Sequence, residues 1–366
     1  MTDESFNRVQ SIASTPHFRK HVRGLKIFWN LLDKKSLADK KAYCSLLETT
    51  PHHSVSEEQL NSGYGAVQSL LEQHERLSPQ ISQLLFQTLP LFPNLIEFEP
   101  GIAWEVLHHE EAMDIESGTV QKLARETLLT GAVDGWQQGP YPGAGIQSLF
   151  SALSQTLYRG QKLILFNCGG NISSDFLEFP PHMLKDAETV SRGLKEVRLR
   201  LEMQNDEALN RILGNRAAAR FLGWLVSTER LCLQTSYQNC LVDLSCLLST
   251  VTLPRLNHLA LYRLSTSAEC LISALDRHKA TLAHISIVEV TLTHGSWKEV
   301  FEGLRGERAL LCFSFEDNYV WQGRRYPAGS FDVCGAKMNT GLGRFVFEGG
   351  EWPEECESLE LEAFAA

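Results

Sequence analysis

The densest set of potential metal ligands in the sequence is His108-His109-Glu110-Glu111. Two imidazoles grip one zinc from a helix when four positions separate them, as in H-E-x-x-H, because that spacing stacks them on one face. The adjacent histidines here lack that spacing, and so do His52 and His53; a solvated insert accounts for both pairs. Gly139, Gly143 and Gly145 could form a flexible phosphate-contacting loop, but Ile146-Gln147 stands where a Lys-Ser/Thr pair would be needed. Gly169-Gly170 follows the apolar run 163–167 without the rest of a dinucleotide fingerprint. Gly341 and Gly343 form only a lone pair, and no G-x-S-x-G nucleophile elbow occurs. No catalytic residue, metal ligand or cofactor is expected, and the chain reads as a non-enzymatic protein.

Chemistry of recognition is a different matter, and it depends on which elements carry the polar residues. Apolar positions recur in an LxxLxL spacing: Val22, Leu25, Ile27; Leu194, Val197, Leu199; Leu256, Leu259, Leu261, Leu264; Leu282, Ile285, Ile287, Val290, Leu292; and Leu310, Phe313, Phe315. Partial cases lie at 163–165 and 231–233. In a chain that is 43% apolar, three fixed positions match by chance about 8% of the time. Recurrence at regular distance carries the signal. Starting points at 160, 194, 228, 256, 282 and 310 are 34, 34, 28, 26 and 28 residues apart.

Helical periodicity fills the gaps. Residues 215–227 place Ala218, Phe221, Leu222 and Leu225 on one side; 267–280 open with Ser267 as an N-cap and align Cys270, Leu271, Ala274 and Leu275. Residues 295–305 align Trp297, Val300, Phe301 and Leu304, with Gly306 as a stop. Strand, turn and helix repeating every 26 to 34 residues predict an α/β fold: a leucine-rich-repeat-like curved solenoid, parallel strands on the concave side and helices on the convex side. One repeat cannot bury its apolar side alone, so each depends on its neighbours.

The alternation of a strand then assigns the outward positions. They are Lys26 and Phe28; Glu196, Arg198 and Arg200; Cys232 and Gln234; His258, Ala260 and Tyr262; Ser286 and Val288; Cys312 and Ser314. From these, Arg198, Arg200, Gln234, His258, Tyr262, Ser286 and Val288 are the expected partner-binding residues, since Arg and Tyr are frequent interface anchors. The expected partner is a protein substrate held on the concave face.

Charge and cysteine usage restrict the partners further. Of the net charge of −10, seven units come from Glu348, Glu351, Glu354, Glu355, Glu357, Glu360 and Glu362, with no Lys or Arg among the last 19 residues. No concentrated basic surface stands out, so no nucleic acid is expected. No run of about 18 apolar residues occurs, so no membrane span is expected. The nine cysteines include no C-x-x-C pair, and Cys232 and Cys312 lie in apolar runs where a free thiol acts as a small hydrophobe. That pattern suits a reducing compartment, cytoplasmic or nuclear.

The domain reading is a linker helix at 1–20, an irregular solenoid at 21–316, an irregular cap at 317–347 and a disordered acidic tail at 348–366. Residues 79–98 read as a helix, a turn at Pro93-Asn94 and a strand from Leu95. Insertions are expected near 50–63, 105–119 and 131–145, the last holding five Gly and two Pro in fifteen residues.

FRKHVRGLKIF (18–28) and LPRLNHLALYRLSTSAECLISALDRHKATLAHISIVEVTLTHGSWKEVFEGLR (253–305) resemble the fungal family of F-box proteins with degenerate leucine-rich-repeat-like solenoids. The second run carries the order strand, Ser-capped helix, Arg-His-Lys-x-Thr-Leu link, strand, then Gly-Ser-Trp opening a helix. The resemblance implies a substrate-recognition subunit of a cullin-type ubiquitin ligase, whose F-box would hold the adaptor subunit while the solenoid holds the substrate. The adaptor is implied only if an F-box lies upstream; about twenty residues precede Val22, and 4–16 look like the linker helix that follows one. An orphan interaction protein without the adaptor contact is a further expectation. The rival class is a small-molecule enzyme on an α/β sheet.

Overall fold

The computed structural model describes residues 2–28, 37, 39–48, 55–101, 125–128, 143–158, 165–173, 177–202, 216–235, 250–305, 310–316, 319–320, 331–334 and 341–354. The fold is mixed α/β with parallel strands. It divides into two compact units, Met1–Leu163 with Cys168–Asn171, and Ile164–Asn167 with Ile172–Ala366.

The first unit begins with the expected N-terminal helix, Asp3–Ser14, started by Thr2 in a capping box with Ser5. Strand β1 (Gly24–Phe28) pairs in parallel with β2 (Glu97–Gly101). The Arg23 carbonyl joins them by accepting from the amides of Ile96 (2.8 Å) and Glu97 (3.0 Å). The turn at Pro93-Asn94 forms as read, but the strand after it starts at Glu97 rather than Leu95. The helix before it begins far upstream of residue 79: it runs Glu57–Thr88 from a capping box at Ser56 with Gln59. Most of the described part of the expected 50–63 insertion is therefore helix, and the capping box is the reason it starts there. Val67, Leu77, Ile81, Leu84 and Leu85 on this helix are buried, and it packs on the helix Gly143–Tyr158. That second helix takes in Gly143 and Gly145, which the loop reading of 131–145 had included. The 105–119 insertion lies outside the described residues.

Strand β3 (Leu165–Ser173) runs through Gly169-Gly170, so these glycines are extended strand and not a phosphate turn.

In the second unit β4 (Glu196–Glu202), β5 (Arg230–Thr235), β6 (His258–Tyr262), β8 (His284–Val288) and β10 (Cys312–Glu316) are consecutive parallel neighbours. The expected inward residues are buried: Val197, Leu199, Leu231, Leu233, Leu259, Leu261, Ile285, Ile287 and Phe315. A repeated hydrogen bond holds the rungs in register. The carbonyl just before one strand accepts two amides from the next: Lys195 from Glu229 and Arg230, Glu229 from Asn257 and His258, Asn257 from Ala283 and His284, Ala283 from Leu311 and Cys312, all at 2.7–3.1 Å. One carbonyl with two lone pairs thus satisfies two amides at every step.

Two of the apolar runs do not continue as one strand. Arg263 and Glu289 adopt the left-handed region (φ 56° and 53°), which ends β6 and β8. Beyond them β7 (Ser265–Ser267), β9 (Thr291–His294) and β11 (Tyr319–Val320) form a second small parallel sheet, in the order β11-β9-β7. Leu264, Val290 and Leu292, read as strand continuations, are buried around this kink. The Arg263 guanidinium donates to the Glu289 carboxylate, joining equivalent corners of successive repeats. Helices follow. Ser267 caps Ala268–Arg277 by accepting from the Cys270 amide, and Ser296 caps Trp297–Leu304 in a capping box with Glu299. Ala268, Leu271, Ala274 and Leu275 face the core, whereas Cys270 is only half-buried.

The sheet ends on an antiparallel strand, β12 (Phe331–Cys334), which places Cys334 opposite Cys312. Cys312, read as a free thiol in an apolar run, is disulfide-bonded; among the described residues Cys44, Cys232 and Cys270 are free. An antiparallel return cannot be read from repeat spacing. The start of the acidic tail is also ordered: Trp352 packs edge-on against Phe345 (5.0 Å) and lies by Phe301 (6.2 Å), and the Gly350 carbonyl accepts from Arg305 at 3.0 Å.

Candidate partner-docking face

The outward side of the five parallel strands is a grid whose rows are set by register. In the first row stand Glu196, Arg230, His258, His284 and Cys312; in the second, Arg198, Cys232, Ala260, Ser286 and Ser314; in the third, Arg200, Gln234, Tyr262, Val288 and Glu316. All seven residues expected to bind a partner therefore share one face. Arg200, Gln234, Tyr262 and Val288 are consecutive neighbours in a single row, while Arg198 and Ser286 lie in the second and His258 in the first. Arg198 is exposed and the other six are half-buried.

Local electrostatics differ across the grid. Arg198 donates to the Glu196 carboxylate at 2.6 and 2.8 Å, across two positions of one strand. Arg230 is exposed at the end of the next strand. His258 and His284 stack with ring centroids 5.7 Å apart and planes inclined by 21°. Burial holds the His258 pKa below the ordinary imidazole value, with His284, Arg230 and Arg198 adding in the same direction and Glu196 opposing. Burial also pushes the Cys232 thiol up to about 11, so it stays protonated at neutral pH and is a poor nucleophile. The face offers cationic, imidazole, hydroxyl and aromatic groups.

Arg230 and His284 were missed in the sequence. Each stands two positions before an assigned outward residue, so carrying the alternation one step upstream would have found them. His278, in the Arg-His-Lys-x-Thr-Leu link, has a structural task. Its Nε2 accepts from the Leu253 amide (3.0 Å), so the proton sits on Nδ1, which donates to the Ala274 carbonyl (2.8 Å). Burial lowers its pKa, and the neutral ring bolts its helix end to the segment ahead of β6. In Gly-Ser-Trp, Gly295 has φ 78°, and a Cβ there would lie 2.6 Å from both the Ala268 Cβ and a Glu299 carboxylate oxygen; Ser296 caps, and Trp297 is fully buried.

Among the described residues no cluster of three or more His, Cys, Asp or Glu could hold a metal ion, and no helix is long and apolar enough to cross a membrane. His52, His53, the 108–111 cluster and Gly139 lie outside the described residues. No protein-family model matches the chain, and no curated protein matches it.

Proposed function

We propose that this protein is a non-enzymatic protein-docking module. The second unit acts as a stretch of leucine-rich-repeat-like curved solenoid, its strands on the concave side, its helices on the convex side. The observation that carries this reading is the third row of the grid. Arg200, Gln234, Tyr262 and Val288 are half-buried neighbours on adjacent parallel strands, a mixture of cationic, amide, aromatic and apolar groups of the kind that anchors protein interfaces. In this reading Arg198, His258 and Ser286 extend the same contact surface. The resemblance to fungal F-box proteins adds a finer version, in which the docked partner is a ubiquitin-ligase substrate.

The test is affinity capture with wild type and with an Arg198→Ala/Arg200→Ala/Tyr262→Ala variant, with circular dichroism establishing that both fold. Loss of a specific partner from the variant supports docking on this face, and equal recovery from both removes it. The ligase version further predicts co-purification with the adaptor subunit of a cullin ligase.

A further inference from the structure

The proposed docking reading leaves the partner's chemistry open, and the charge arrangement of the grid narrows it. Across the first three rows of β4, β5, β6 and β8, the outward positions hold Arg198, Arg200, Arg230, His258 and His284 against one carboxylate, Glu196. This excess of cationic and protonatable groups belongs to a chain of net charge −10, so the face is opposite in sign to the molecule that carries it. Glu196 and Arg198 pair with each other, and beyond that pair the rows hold Arg200, Arg230, His258 and His284. Below the first row, Lys195 and Glu229 neutralise each other at 3.3 Å. Among the described residues acidic positions return at the margins: Glu202 at the end of β4, Glu316 on β10, and Asp332 on β12 opposite Ser314.

We propose that this face binds an acidic segment of a partner protein, laid across the strands so that its carboxylates meet Arg198, Arg230 and the His258–His284 pair. The rows give the reason for a peptide. Neighbouring strands in a sheet are about 4.8 Å apart, and Arg230, His258 and His284 stand on three successive strands in one row. A chain crossing the strands meets these groups one after another. A carboxylate next to His258 counters the cationic neighbours that disfavour its protonated form. The other charged or titratable groups acting on that ring are Glu196 and Arg198 on β4, Arg230 on β5 and His284 on β8. Binding therefore draws a proton onto the imidazole and tightens as pH falls towards the histidine range, where side-chain carboxylates of the peptide remain ionised.

The experiment uses the full chain with fluorescent oligoglutamate, oligoglutamine of the same length, and oligothymidylate. Oligoglutamate is expected to bind, to weaken with added salt, and to bind more tightly at about pH 6 than at about pH 7.5. Arg198→Ala/Arg230→Ala is expected to weaken it about fivefold, two partly exposed ion pairs being lost. The double replacement His258→Gln/His284→Gln is expected to weaken binding at about pH 6 more than at about pH 7.5, removing most of the pH effect, and an undiminished pH effect overturns the role of the pair. Equal binding by the double Ala variant, preference for oligothymidylate, or equal binding of oligoglutamine overturns the proposal. If oligoglutamate does not bind while partner capture still depends on Arg198, Arg200 and Tyr262, the acidic chemistry is wrong and the docking reading stands. If capture ignores those residues, both fall.

Discussion

Replacing His278 with Ala tests how successive repeats are fastened. The ring is 3% exposed and makes two hydrogen bonds of fixed polarity, one from the Leu253 amide and one to the Ala274 carbonyl. Removing it leaves the Leu253 N–H buried without an acceptor, at a cost of about 1–3 kcal/mol before any cavity term. That corresponds to a loss of about 5- to 150-fold in protection of this amide if exchange follows the local opening. The pH dependence has a definite sign. Burial lowers the folded pKa of His278, so its contribution is fully present above the unfolded value of about 6.5 and is lost as pH falls through the folded value. Between the two values the unfolded chain takes up a proton that the folded chain refuses, and stability drops by up to about 1.4 kcal/mol per pH unit. The assay is hydrogen exchange at Leu253, with urea midpoints at about pH 7.5 and about pH 5.5. The gap between wild type and His278→Ala should be wide at the higher pH and narrow at the lower. Equal protection of Leu253 in the two proteins, or a gap indifferent to pH, would refute the neutral-bolt account.

Leu199→Ala and Leu261→Ala each remove a side chain that is 2% exposed and should destabilise by about 2–5 kcal/mol; an unchanged denaturant midpoint would contradict the inward phase. Gly295→Ala forces a Cβ into a positive-φ residue packed on Ala268 and Glu299, and thermal melts should show a loss of about 1–3 kcal/mol. Cys232, with its thiol pushed up to about 11, should alkylate at about pH 8 roughly a hundredfold more slowly than an unperturbed thiol, and mass spectrometry showing free-thiol rates would place it in water instead.

Much of the second unit was legible from spacing. The inward residues of β4, β5, β6 and β8 and the cap at Ser267 follow from periods of two and 3.6 with a small polar residue at the helix start. The same alternation put Arg198, Arg200, Gln234, His258, Tyr262, Ser286 and Val288 on one side. It could not show that Arg200, Gln234, Tyr262 and Val288 form one row, because register between strands separated by about thirty residues is set by long-range pairing. The kinks at Arg263 and Glu289 were hidden for a related reason: neither residue type signals a left-handed conformation, and the cross-repeat ion pair and backbone bonds hold both corners there.

In the first unit, local pattern reached less far. The helix Glu57–Thr88 contains Gly63 and Gly65 and low overall apolarity, so its first half resembled an insertion, and packing against neighbouring helices decided the matter. What the amino-acid order determined by itself is the repeating strand-and-helix module and the side each residue faces, because those depend on interactions within a few residues. Tertiary structure alone decided which modules neighbour which, where Cys312 meets an antiparallel return, that His278 is a neutral bolt, and that Arg230 and His284 join the candidate face. These outcomes depend on contacts between residues far apart in the chain, and no local period encodes them.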